Sequence, residues 1–164
     1  MRKLISAVLL ATAFTAAASA QTVTSQQNNI SPDAARKMVD ACLAFAEQNK
    51  ILVGVAVVDS TGLLIDFHVM DGGGPTLSET AILKAKTAAH FRRSTSDMEK
   101  EVLAGGNQAP LYMNFFPKAG ALPIVMNGQT IGAIGIGGAA KQEDCARAGI
   151  EAVLGKQPQK SAAN

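Results

Sequence analysis

Metal-binding and catalytic signatures are what this 164-residue chain has least of. Its histidines are His68 and His90, and its cysteines are Cys42 and Cys145. No CxxC, HxxxH or HExxH arrangement can be drawn from them, which excludes a dedicated zinc site of the usual spacing. There is no Gly-x-Ser-x-Gly elbow, and neither cysteine stands beside a histidine, so nucleophilic catalysis has no local support. The acid pairs Glu99/Glu101 and Glu143/Asp144 fall near expected helix starts, where dipole and capping roles suffice. No solenoid-type repeat is present.

An excess of charge of one sign is also missing once the leader is set aside. Met1-Arg2-Lys3, the apolar run Leu4 to Phe14 and the small residues Ala18-Ser19-Ala20 have the layout of a secretory signal peptide, residues 1–20, too short for a stable membrane anchor. Cleavage after Ala20 leaves Gln21 first. Without Arg2 and Lys3 the fifteen basic side chains fall to thirteen, matching the thirteen acids. A general case for nucleic-acid binding disappears with that excess, and so does one for an anionic membrane. The expected product is periplasmic or secreted, with no membrane insertion after cleavage. Export permits a disulfide. Cys42 and Cys145 are bridged or are two small buried apolar residues; the sequence admits both.

What remains reads as one domain over residues 31–155, between a polar, poorly ordered lead-in (21–30) and a frayed tail (156–164). Ser31-Pro32-Asp33 is a helix start, and Ala35, Met38, Val39, Cys42, Phe45 and Ala46 give that helix one apolar face. Val53 to Val58 and Leu63 to Val69 form a hairpin around Asp59-Ser60-Thr61-Gly62. Thr76 with Glu79 is a capping box opening a helix to about Arg92. Ser96 with Glu99 opens a shorter helix ending near Gly105-Gly106. Asn107 to Ala119 is irregular, with room for a short strand at Phe115-Phe116. A second hairpin, Leu122–Met126 and Thr130–Ile136, turns at Asn127-Gly128, and a last helix runs from about Gln142 to Leu154. The order α-β-β-α-α-β-β-β-α implies an α+β sandwich, an antiparallel sheet covered by helices. Gly132, Gly135, Gly137 and Gly138 lie in and after a hairpin strand, which argues against a dinucleotide fingerprint and for close approach of a helix or a neighbouring chain.

These elements resemble a known family. Val57-Val58-Asp59 with Gly62, Met70-Asp71-Gly72, Lys84-Ala85-Lys86-Thr87-Ala88, Leu122-Pro123-Ile124, Asn127-Gly128, Ile131 to Gly135, and Glu143-Asp144 with Ala148-Gly149 occur in the order found in the GlcG/HbpS-like family. The same domain forms the C-terminal part of PduO-type corrinoid adenosyltransferases. The resemblance implies a five-stranded antiparallel sheet, a homo-oligomer, and heme or iron binding in exported members. Where many members read Arg-Met-Asp-Gly, this chain reads Val69-Met70-Asp71-Gly72, so a cationic partner for an acidic ligand is missing. Where many read Gly-Gly-Val/Leu-Pro it has Gly120-Ala121-Leu122-Pro123, and Gly137 replaces a frequent serine.

The candidate site is the stretch from Gly62 to His90 and the arginines after it. His90 is the candidate heme-iron ligand, one turn after Lys86 and Thr87 and directly before Arg92 and Arg93. Lys84, Lys86 and Arg92 are cations for propionates or a small anionic ligand. The alternative for that helix is a solvated basic face. Strand alternation puts Leu64, Asp66 and His68 on a wetter side opposite Leu63, Ile65, Phe67 and Val69. Asp71-Gly72-Gly73 is either an anion-binding concavity or only a tight turn. Thr87, Tyr112 and the methionines are further ligand candidates, with Met70 and Met126 read as core filler. The leading expectation is an exported heme- or iron-binding protein acting in transport, storage or sensing. Two others accompany it: an enzyme or accessory acting on a small hydroxy or keto acid such as glycolate, and an oligomer that binds a partner protein.

Overall fold

The computed structural model describes residues 27–138 and 140–156; the expected leader and most of the tail lie outside them. Helix α1 spans Pro32–Gln48, with the Ser31 hydroxyl accepting from the Ala34 N–H at 3.2 Å and Pro32 at the first helical position. Strands β1 (Gly54–Asp59) and β2 (Leu64–Val69) make the first hairpin. Its turn is organised by Asp59, whose Oδ1 accepts from the Thr61 N–H (2.8 Å), the Thr61 hydroxyl (2.6 Å) and the Leu63 N–H (2.9 Å). Burial pushes the Asp59 carboxyl up, but those hydrogen bonds together outweigh it and hold the group below its ordinary pKa of 3.8.

Helix α2 spans Pro75–Phe91, α3 Thr95–Leu103, and α4 is a single turn at Ala109–Tyr112. Strands β3 (Ala121–Met126) and β4 (Gln129–Gly137) form the second hairpin, with Asn127 and Gly128 both at positive φ, the geometry of a type I′ turn. Helix α5 (Gln142–Leu154) closes the domain. The sheet is antiparallel, in the order β2-β1-β4-β3.

Each face of the sheet carries its own core. Val55 and Val57 of β1 and Ile134 and Ile136 of β4 pack with Met38, Val39 and Cys42 of α1 and Cys145, Ala146 and Ile150 of α5. On the other face Ala56, Val58, Ala121 and Ala133 meet the alanines of α2, Ala81, Ala85, Ala88 and Ala89. That second core is thin because its residues are small. A Cβ on Gly135 would lie 2.4 Å from the Ala81 carbonyl oxygen and the Ala85 nitrogen, and one on Gly137 would lie 2.0 Å from the Leu77 carbonyl oxygen. Gly135 and Gly137 therefore do what their spacing suggested and admit a helix backbone onto the sheet, whereas Gly132 faces Val58 and Gly138 faces Leu52. Cys42 and Cys145 form a disulfide, with Cα atoms 4.8 Å apart, that ties α1 to α5 inside the first core.

Four expectations need correction. The sheet has four strands, not five: residues 109–112 form the turn of α4, and Phe115-Phe116 lie in the loop after it. The Thr76/Glu79 box does not form, because Pro75 at the first position and Gly74 as cap start α2 earlier. Ser94, not Ser96, caps α3, its hydroxyl accepting from Asp97 N–H at 3.2 Å. Alternation along β2 is broken by a bulge, since Val57 pairs with Asp66 but Val58 pairs with Leu64. The bulge turns Leu64 to the α2 face, while Asp66 keeps the side it shares with His68, which is the α1 face and, at Asp66, not a wet one. Its side chain is 10% exposed and ion-pairs with Arg36 of α1 at 2.9 Å. The end of the expected lead-in is bonded as well: the Ile30 N–H donates to the Ile131 carbonyl, and the side chain of Asn29 accepts from Ser60.

Candidate functional site

The last turn of α2 presents His90 to solvent, with two aromatic rings beside it. Phe91 meets it edge-on at 5.2 Å and Phe115 lies over it at 4.6 Å with 31° between the planes. Phe91 and Phe115 also touch edge to face at 5.0 Å. Phe115 is held in place from two directions: its N–H donates to the Pro110 carbonyl at 3.1 Å, and the next N–H, of Phe116, donates to the Thr87 hydroxyl at 2.8 Å. Among the described residues neither ring nitrogen of His90 has a hydrogen-bond partner. The same loop exposes Leu111, Tyr112 and Met113. The imidazole thus stands exposed beside two aromatic rings, one of them carried by the loop that follows α4.

The other expected site residues are dispersed around this helix. Thr87 is fully buried; its hydroxyl donates to Leu83 O at 2.7 Å while accepting from Phe116, so it positions the loop and faces no ligand space. Lys86 is exposed on another flank, its stem 3.7 Å from where a Cβ of Gly62 would be. Arg92 is exposed and caps α2 in the left-handed region, while Arg93 pairs with Glu101 at 2.8 Å. Lys84 points inward and is 3% exposed. The cations do not form one face.

His68 lies opposite Val55, on the α1 side of the sheet, and is exposed near its edge. His90 belongs to the α2 layer. The two histidines are therefore on opposite faces and cannot hold one iron within a single chain. Asp71, Gly72 and Gly74 are exposed, with Gly72 at φ 85°. A Cβ on Gly73 would lie 2.6 Å from a Val69 methyl, and the Gly73 N–H already donates to the Met70 carbonyl at 2.9 Å. The requirements of a tight turn account for these glycines.

A second polar centre was not legible beforehand. The Lys84 ammonium donates to the Ile136 carbonyl at 3.1 Å and to Gln142 Oε1. Around it Glu143 accepts from both the N–H and the hydroxyl of Ser96 (3.0 and 2.9 Å), and Glu99 accepts from the Ala119 N–H at 2.9 Å and from Lys118. Burial, reinforced by the charge of Lys118 and opposed by Glu99 and Glu143, lowers the pKa of Lys84 to about 8. Hydrogen bonds from Lys118 and from the Ala119 N–H hold the Glu99 carboxyl below its ordinary range. A cleft of about 370 Å³ opens here, lined by Glu99, Lys118, Gly120, Lys141, Gln142 and Glu143. The available signal was the position of Lys84 in the apolar stripe Ala81-Ala85-Ala88, where a lysine must turn inward. Acids at helix starts gave no comparable signal.

Comparison with known proteins places this geometry in a family. Residues 30–151 match the family model described as haem degrading protein HbpS-like. Protein GlcG of Escherichia coli K12 is 34% identical over 110 residues, which are 65% of this chain and 80% of GlcG. A crystal structure of a double mutant of Streptomyces reticuli HbpS superposes with a TM-score of 0.73 at 32% identity, over 81% of this chain and 92% of that one. The crystal structure of a PduOC–heme complex superposes with a TM-score of 0.71 at 25% identity, over 77% and 96%. With sequence, motif order and fold in agreement, the chain belongs to the HbpS-like family.

Proposed function

We propose that this protein is an exported heme-binding protein that transports, stores or senses heme or iron released from it. The observation that carries the reading is His90, exposed, flanked by Phe91 and Phe115 and, among the described residues, unbonded at both ring nitrogens. A heme needs an axial donor, apolar surface for its macrocycle and cations near its propionates. His90 supplies the first, Phe91 and Phe115 with Leu111 and Met113 the second, and Arg92 the third. The heme would contribute the redox and ligand chemistry of its iron; the chain's residues bind it and orient it. Membership of the HbpS-like family and likeness to a PduOC–heme complex support the same ligand.

Export rests on the leader pattern of residues 1–20 and accords with the Cys42–Cys145 disulfide. No described helix is long and apolar enough to cross a membrane. Homo-oligomerisation is part of the proposal; it draws on the β2 edge, where Leu63 and Leu64 are exposed at 63% and 40%. Titrating the mature chain with hemin tests the ligand. A saturable shift of the Soret band at micromolar hemin is the expected result, and its absence overturns the reading. N-terminal sequencing of the secreted protein should begin at Gln21.

A further inference from the structure

The geometry points to a second site: Lys84 is a reactive amine, served by the cleft between α3, the 117–120 loop and the first turn of α5, that condenses with a small carbonyl compound bearing a carboxylate. The site lies away from His90 and does not depend on heme.

Three observations carry it. Lys84 is buried, yet among the described residues no carboxylate lies within ion-pair distance of it. Neutral acceptors hold it instead, the Ile136 carbonyl and Gln142 Oε1. A lysine placed only for stability would gain more from a direct carboxylate partner, whereas neutral acceptors in a buried setting leave the amine poised to lose its proton. Second, Gln142 both bonds Nζ and lines the cleft, so rotation of one half-buried side chain exposes the amine to it. Third, position 120 is a glycine where a Cβ would stand 2.9 Å from Nζ and 2.1 Å from Gln142 Oε1. The absence of a side chain there keeps the approach to the amine open.

The walls of the cleft select the reactant. Glu99 is engaged by Lys118 and Glu143 by Ser96, and the exposed Asp144 completes the acidic part of the lining. Among the described residues the Lys141 ammonium at the rim bonds only the neutral Asn49 side chain, at 2.7 Å, which leaves it donors for a carboxylate. In the reaction the neutral amine of Lys84 adds to the carbonyl carbon, forming the C–N bond while the carbonyl electron pair moves to oxygen. The nitrogen gives up a proton and the oxygen gains one, with Glu143 at the wall as relay. The carbinolamine then loses its hydroxyl together with the remaining proton of the nitrogen, as water, while the nitrogen lone pair forms the C=N bond. Nothing is oxidised or reduced.

Reductive trapping tests this on the intact mature protein. Pyruvate is the probe, sodium cyanoborohydride reduces any imine, and peptide mass mapping locates the adduct. The expected result is a saturable adduct at Lys84, formed at lower concentration than with acetone, the same ketone without the carboxylate. Its rate should rise through about pH 8, set by burial and by the charges of Lys118, Glu99 and Glu143 around the amine. Lys84→Met should lose the adduct. If that variant does not fold, the wild-type peptide map still decides. Adducts distributed over exposed Lys86 and Lys100 with none enriched at Lys84 would overturn the proposal, and equal labelling by acetone would remove the carboxylate role of Lys141.

Discussion

The burial of Lys84 sets a pH dependence whose sign follows from its pKa. Folding lowers that pKa from 10.5 to about 8, through burial and Lys118. Between those values the unfolded chain binds more protons, so this residue's contribution to stability rises with pH across that interval, by at most about 1.4 kcal/mol per pH unit. Chemical denaturation of wild type and Lys84→Met from pH 7 to 10 should show the wild type gaining on the variant; parallel curves would contradict it. Asp59 has the same sense at the acid end of the scale, since its folded pKa is lowered too. Its carboxyl is held below 3.8, so its stabilisation is present above that value and is lost as pH falls through the lowered one. Asp59→Ala leaves the Thr61 and Leu63 donors of the β1–β2 turn without their acceptor and should cost roughly 1–3 kcal/mol at neutral pH, read from denaturant midpoints.

Contacts between α2 and the sheet are set by glycine, and those between α1 and α5 by sulfur. Gly135→Ala drives a methyl into the backbone of α2 at Ala81 and Ala85, and a loss of about 1–3 kcal/mol in thermal or denaturant unfolding is expected. The Cys42–Cys145 bridge closes residues 103 apart in sequence, so the double variant Cys42→Ala/Cys145→Ala should lose roughly 2–5 kcal/mol without a change of fold by circular dichroism. These elements also show what periodicity could reveal. Both hairpins, the apolar face of α1, the extent of α5 and the close approach at Gly135 and Gly137 were readable, because each depends on local spacing. The start of α2 was not, since Pro75 and Gly74 outweigh a Thr76/Glu79 box that is equally well formed on paper. Nor was the bulge opposite Val58, because an extra residue in a strand leaves no mark on composition, nor the cover that Arg36 of distant α1 gives Asp66.

The whole molecule divides its polar chemistry between two places that the sequence merged into one. Lys84, Lys86, Thr87 and His90 are neighbours in the chain, but the helix turns Lys84 toward Gln142, Thr87 into the α2 layer and His90 out to Phe115. Phe115 and Gln142 come from distant segments, and no local pattern could announce them. His68, on the far face of the sheet, is the natural control for His90. The decisive measurement is therefore a hemin titration of three proteins side by side, wild type, His90→Ala and His68→Ala, with the Soret and charge-transfer bands recorded in each. Wild type and His68→Ala should give the same histidine-ligated spectrum and affinity, while His90→Ala loses that spectrum and binds at least about tenfold more weakly, a difference of about 1.4 kcal/mol. An unchanged spectrum and affinity in His90→Ala would contradict the assignment of the site.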